Sequence, residues 1–139
     1  MYSKLCGDTW VLRLEPGEEV LASIAGLCKK ENILCAEISG IGAASTAMVG
    51  IYNIDEKKYY ENVLEGPLEI VSLLGSVTQK DGEPYLHIHA SFSGESCVCT
   101  GGHLNSAVIG VTAEIFIRKI DGEIKRIPHP VTGINVFDI

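Results

Sequence analysis

The chain has 139 residues, enough for one domain with a proper hydrophobic core. Its formal net charge of −7 argues against direct nucleic-acid binding by this chain alone, because proteins that hold phosphates need a basic face. No apolar run approaches the ~20 residues that cross a bilayer, so we expect no membrane contact. The N-terminus shows no secretory signal and the five cysteines are an odd number, which favours the cytoplasm.

One helix is predicted near the N-terminus. Residues 9–14 begin as a strand, and Pro16-Gly17 then introduces the helix. Lys29-Lys30 falls in its last turn, where the helix dipole favours cations. Its apolar residues recur at helical spacing and form one core-facing stripe: Val20, Leu21, Ile24, Leu27 and Cys28.

Strands dominate the rest of the chain. Turns are predicted at Gly66-Pro67, at 80–83 and at Asp121-Gly122. The proline-broken tail, residues 120–139, is expected to pack on a core formed by about residues 10–117. One helix with seven or so strands predicts a single compact α+β domain over residues 1–139, its sheet mostly antiparallel. The strand-like runs cover residues 33–38, 46–52, 59–64, 68–78, 84–92 and 108–119.

Two histidines lie on one face of a predicted strand. In residues 84–92 apolar and polar side chains alternate, which places His87 and His89 on the same side. Residues two apart on a strand are separated by roughly 6.5–7 Å. Two imidazoles at that spacing can lean toward one ion, at about 2.0–2.1 Å from each nitrogen if the ion is zinc.

A third histidine, His103, follows Gly101-Gly102, and we expect these glycines to let the chain turn back toward the pair. His87, His89 and His103 are then candidate metal ligands. The alternative is that they are polar residues on a solvated face and a turn. Imidazole suits zinc, copper, iron and nickel alike, so the pattern predicts a divalent transition metal, most readily zinc.

Glu69 and Glu114 each interrupt an otherwise apolar strand. A buried carboxylate is costly unless it is paired or hydrogen-bonded. Each is therefore a candidate catalytic residue, as a partner that orients a ligand imidazole or as a general base. The alternative, that each faces solvent on the open face of the sheet, is equally consistent with the sequence.

The chain resembles the plant and prokaryote conserved (PPC or PCC) domain over about residues 10–117. The resemblance implies a compact α+β domain that forms a homotrimer, with His87, His89 and His103 at the positions that hold a metal in some prokaryotic members. Plant relatives add basic AT-hooks that grip DNA, and this sequence contains none. The matching segments are PGEEV at 16–20, SGIGA at 39–43, GPLEIVSLLG at 66–75, PYLHIHASF at 84–92, GGHL at 101–104 and TAEI at 112–115.

Three functional hypotheses follow. The first is a homotrimeric metal-binding protein with a regulatory or scaffolding role, which contacts a protein partner or a small-molecule ligand. The second is a metal-dependent hydrolase or hydratase, because three imidazoles leave a coordination position open to water. The third is a DNA-associated regulator that acts through a basic partner chain.

Overall fold

The computed structural model describes all 139 residues, and the fold is mostly β. Strands hold 67% of the residues and helix only 8%. The α+β class predicted from the sequence is therefore wrong. The reason is strand length: three strands exceed 17 residues, because the structure joins stretches that the sequence predicts as separate strands, such as 59–64 and 68–78.

The elements in chain order are β1 (Tyr2–Cys6), β2 (Thr9–Leu14), α1 (Val20–Lys30), β3 (Ala36–Asn53), β4 (Lys58–Lys80), β5 (Glu83–Ser93), β6 (Cys99–Lys119), β7 (Lys125–Pro128) and β8 (Asn135–Asp138). Four strands pair antiparallel in a closed ring, in the order β3, β4, β5, β6 and back to β3. On the outside of this ring β2 pairs with β6 and carries β1, while β7 pairs with β4 and carries β8.

The predicted helix is present as α1, and its apolar stripe is buried. The carboxylate of Glu19 caps it by accepting a hydrogen bond from the Ala22 amide, which satisfies one of the free N–H groups of the first turn. Its buried side chains join one cluster of 25 apolar residues drawn from α1, the segment that follows it, and β2 to β6. Phe92 of β5 is fully buried in this cluster, a contribution of about 1.5–3 kcal/mol to folding.

The turn expected at Gly66-Pro67 is absent, and β4 runs unbroken through it. Glu65 pairs with Thr46 and Leu68 pairs with Ala44, so the register shifts between these pairs. Such a bulge tolerates proline, which has no N–H for the ladder. The hairpin turn expected between β4 and β5 is present, with positive φ at Asp81 and Gly82.

The tail is more regular than its prolines suggest. Residues after the Asp121-Gly122 turn form the β7–β8 hairpin, in which Arg126 pairs with Phe137. The hairpin joins the ring through a parallel pairing of Lys125 with Gln79 of β4. This position matters for function, because it places the hairpin beside the histidine strand.

Candidate metal centre

The alternation predicted for the histidine strand is confirmed in β5. Ile88, Ala90 and Phe92 are buried in the core, whereas His87 is half-buried and His89 is exposed. The two imidazoles therefore project from the outer face of the ring of strands.

His103 reaches the pair by strand pairing, which corrects the expectation of a glycine bend. Gly101 and Gly102 lie within β6, and His103 is directly opposite His89 in the β5–β6 ladder. The glycines serve close approach instead. A Cβ on Gly101 would lie 2.1 Å from the carbonyl oxygen of Ala90, so only glycine lets the two strands come together there.

The three imidazole rings form a triangle. Ring centroids are 5.2 Å apart for His87 and His89, 5.3 Å for His87 and His103, and 5.5 Å for His89 and His103. One nitrogen from each ring lies within 4.8 Å of the others. A tetrahedral zinc ion needs its nitrogen ligands roughly 3.4 Å apart, a change that side-chain rotation supplies.

The surroundings keep His87 and His103 neutral. Burial is the main cause that lowers the pKa of His87, and with the positive charge of Arg126 and the neighbouring histidines it brings that pKa to about 4. Burial also lowers the pKa of His103, with a smaller contribution from His89. Neutral imidazole is the form that binds metal, so His87 and His103 are ready to act as ligands at neutral pH.

Arg126 is a buried cation behind the histidines. Its guanidinium donates hydrogen bonds to the hydroxyl of Thr78 at 3.0 Å, the carbonyl oxygen of Asn135 at 3.1 Å and the hydroxyl of Ser76 at 3.4 Å. It lies 4.2 Å from the ring centre of Phe137, close enough for a cation–π contact. No acidic side chain pairs with it, and burial lowers its pKa.

A pocket of about 480 Å³ opens onto the histidine triangle. Tyr59 is held in its wall: its hydroxyl donates to Asn105 at 2.9 Å, and its ring meets His103 edge-on at 6.3 Å. Gly50 makes room for that ring, since a Cβ there would lie 2.2 Å from the tyrosine hydroxyl. The lining residues are Gly50, Ile51, Tyr52, Tyr59, Tyr85, His87, His89, Gly101, Gly102, His103, Ile134 and Asn135.

The sequence did not point to Tyr59, Ile134 or Arg126 as part of this site. Tyr59 lies on β4, and the other two lie in the tail, far from the histidines along the chain. No spacing rule connects them, because they meet only through strand pairing. The alternation on β5 does place Tyr85 on the histidine face, so the sequence could have identified Tyr85 as part of the site.

The structure does not bring Glu69 and Glu114 to the histidines. Glu69 is exposed and pairs with Ser93, and it lies five residues along β4 from the partner of His89, roughly 16 Å at the rise of a strand. Glu114 is exposed and pairs with Arg13 on β2. Neither lines the histidine pocket, and both match the alternative of a carboxylate on a solvated face.

Comparison with solved structures finds close relatives of this architecture. A plant- and prokaryote-conserved protein from Pyrococcus horikoshii is 37% identical with a TM-score of 0.89, and the match covers 99% of this chain and 95% of that one. A protein from Archaeoglobus fulgidus described as metal-containing is 36% identical with a TM-score of 0.88, covering 94% and 93%.

A third neighbour bears on nucleic acids. A "putative DNA binding protein" from Bacteroides thetaiotaomicron is 26% identical with a TM-score of 0.95, covering 99% of this chain and 96% of that one. Its description runs against our argument from net charge, which disfavours direct nucleic-acid binding by this chain alone. No helix of this chain is long and apolar enough to span a membrane. A search of curated proteins finds no match.

The sequence also matches the model of one protein family over most of its length. The match covers residues 1–121, which include the helix, the ring of strands and all three clustered histidines. The resemblance expected from the sequence motifs is therefore confirmed. The chain belongs to the Plants and Prokaryotes Conserved (PCC) domain family.

Proposed function

We propose that this PCC-family chain binds one divalent transition metal ion through His87, His89 and His103. The observation that carries the proposal is the triangle itself, in which three ligand nitrogens from two paired strands lie within 4.8 Å of one another. The relative described as metal-containing, at 36% identity, supports it. We further propose that residues 1–139 form a single domain and that the protein acts in the cytoplasm.

Zinc is the first candidate. Its usual ligands include imidazole, and three imidazoles with a fourth position left open form a common zinc arrangement. No thiolate or carboxylate lines the pocket, which argues against sites that need soft sulfur or hard oxygen ligands. A metal in such a site supplies Lewis-acid chemistry at its open position.

Metal analysis of the purified protein tests the proposal. We expect close to one transition-metal ion per chain, and almost none in a His87→Ala/His89→Ala variant. His129 is the matched control, because it is the one histidine outside the triangle; it accepts backbone hydrogen bonds from Val131 and Thr132. A His129→Ala variant should keep its metal. Folded wild-type protein without metal after exposure to zinc would refute the proposal.

The assembly we propose is a homotrimer, as the family resemblance implies. Support comes from an exposed apolar patch on β3, β4 and β6 that a solvated surface does not need. Leu74 and Ile41 are each 57% exposed and Phe116 is 46% exposed. We call this set the outer apolar patch; its members are Ile41, Val71, Leu74, Val111 and Phe116.

Light scattering after size-exclusion chromatography tests the trimer. The wild type should elute as three chains of 15.0 kDa each. Leu74→Asp places a charge in the outer apolar patch and should give monomers. Val98→Asp is the control, because Val98 is 70% exposed and lies outside the patch. A monomeric wild type, or equal effects of the two variants, would contradict the proposed interface.

The role we propose for the trimer is regulatory or scaffolding. The pocket beside the triangle favours a second candidate, a metal-dependent hydrolase or hydratase, since enzyme sites are concave and open to a ligand. Neither Glu69 nor Glu114 is positioned as a base for such a reaction within one chain. Turnover of ester or hydration substrates that disappears with a chelator would establish the enzyme, and its absence would favour the first role.

The description of the Bacteroides neighbour motivates a third candidate, association with DNA. The charge of −7 gives the chain little means to neutralise phosphates, so we propose that any such association needs a basic partner chain. A gel-shift assay at low salt decides this. Tight binding of duplex DNA by the isolated chain would overturn the argument from charge.

A further inference from the structure

The wall of the histidine pocket carries no charged side chain. Among its twelve lining residues there is no aspartate, glutamate, lysine or arginine. Ile51, Tyr52 and Ile134 provide an apolar surface, and the volume of about 480 Å³ falls within the roughly 300–1,000 Å³ typical of small-molecule pockets. A ligand that fits this wall has an apolar body and keeps its charge at the histidine end.

The charges near the histidines favour an anion at that end. The three imidazoles contribute no negative charge, and Arg126 behind them has no acidic partner. Its guanidinium lies 5.1 Å from the ring centre of Tyr85 and donates to the backbone of Asn135, both of which line the pocket. A divalent metal adds further positive charge, and low-polarity walls strengthen its attraction for an anion.

The polar groups of the pocket suit one carboxylate. The Tyr85 hydroxyl accepts a hydrogen bond from the side-chain amide of Asn135 at 3.4 Å, which leaves its own proton free to donate. The Tyr59 hydroxyl already donates to Asn105. Phosphate groups are held by several donors, from guanidinium groups or clustered backbone amides, and the pocket lacks that array.

We propose that this pocket binds a small monocarboxylate with an apolar body. The carboxylate lies at the histidine triangle, within reach of the Tyr85 hydroxyl, and the hydrocarbon part lies against Ile51, Tyr52 and Ile134. The inference rests on the proposed metal site, because the metal's open position receives one carboxylate oxygen. It adds a ligand class to that site and makes the β7–β8 hairpin part of the binding surface.

Calorimetry on metal-loaded protein, with metal content measured first, tests the ligand class. The probes are hexanoate, acetate, hexanol and hexyl phosphate. Hexanoate should bind at least tenfold more tightly than acetate, since burial of two of its four extra methylene groups accounts for that factor. The affinity for hexanoate should also exceed the affinities for hexanol and hexyl phosphate. Tighter binding of hexyl phosphate, or equal binding of acetate, would overturn the proposal.

Two variants test where the ligand lies in the pocket. Ile134→Asp puts a negative charge in the wall and should weaken hexanoate binding at least tenfold without loss of metal. Val131→Asp is the control, because Val131 is 78% exposed and does not line the pocket. Tyr85→Phe removes the free donor and should weaken hexanoate more than hexanol. Equal effects of the two aspartate variants would refute the assigned position.

Metal-free protein separates the two proposals. Hexanoate should not bind it, and equal binding with and without metal would refute the carboxylate position. If the protein takes up no metal, the metal proposal itself fails. If it is loaded with metal and binds no hexanoate, the metal site stands and the ligand class is wrong. Cobalt-loaded protein gives an independent readout, because its visible absorption should change when hexanoate binds.

Discussion

Replacing Gly101 with alanine should separate the histidines without touching any of them. The new Cβ would lie 2.1 Å from the carbonyl oxygen of Ala90 and 2.9 Å from the Cα of Ser91. Both are backbone atoms of β5, so no side chain can rotate to make space. The strand that carries His103 must move away from the strand that carries His89.

The size of the effect follows from these distances. An ordinary contact of 3.4 Å requires a displacement of about 1.3 Å from 2.1 Å. Metal–ligand distances tolerate about 0.2 Å, so the substitution should weaken metal binding about 10–100-fold, as loss of a supporting contact does. Forcing extra volume into a packed region should also cost about 1–3 kcal/mol of folding free energy.

The assay is competition for zinc against a chromophoric chelator, with urea unfolding measured in parallel. Gly94→Ala is the control, because a Cβ at Gly94 would meet nothing closer than 3.9 Å. It lies between β5 and β6, five residues from His89, and should change neither quantity. If Gly101→Ala binds zinc as tightly as the wild type, the ladder does not set the ligand geometry.

Two further predictions concern charge. Metal-free protein should lose stability as the pH falls from about 6.5 to about 4, because the unfolded chain takes up a proton on His87 before the folded chain does; urea unfolding at several pH values measures this. The full shift of the His87 pKa corresponds to about 3 kcal/mol of unfolding free energy, and the partial exposure of His87 reduces the expected loss to about 1–2 kcal/mol. An unfolding free energy that does not change over this pH range would contradict the prediction. Arg126→Met removes a positive charge and should raise the pKa of His87 in an NMR titration of metal-free protein, whereas exposed Lys125→Met should not; equal shifts would refute the assignment.

Local patterns predicted the local parts of this fold. The apolar spacing and flanking charges found α1, and the alternation around His87 and His89 found both the strand and its outward face. The Asp81-Gly82 signal located the hairpin turn that precedes that strand. In each case the interactions that define the structure are between residues close in sequence, so the sequence contains the information directly.

Long-range pairing explains what the sequence left open. Gly66-Pro67 is typical of a turn, but in the structure the pair lies in a β-bulge of β4 opposite Ala44 and Thr46. Only the pairing with β3 reveals that bulge. The predicted α+β class is wrong for the same reason: long strands are stabilised by their neighbours, so the sequence alone does not show how much of the chain is strand. Arg126 became part of the site only because the tail pairs with β4.

The Gly101-Gly102 pair shows how one sequence signal supports two different structures. Glycine signals either a turn or a close backbone approach, and the choice depends on a partner that the sequence does not identify. Here the partner is β5, in the shortest of the four ladders that close the ring, which runs only from His89 opposite His103 to Ser93 opposite Cys99. A metal ion held by His87, His89 and His103 would link the two strands at the end of that ladder. Ligand binding stabilises the state that binds, by about 2.7 kcal/mol at a hundredfold excess over the dissociation constant, so metal should stabilise the closed ring itself.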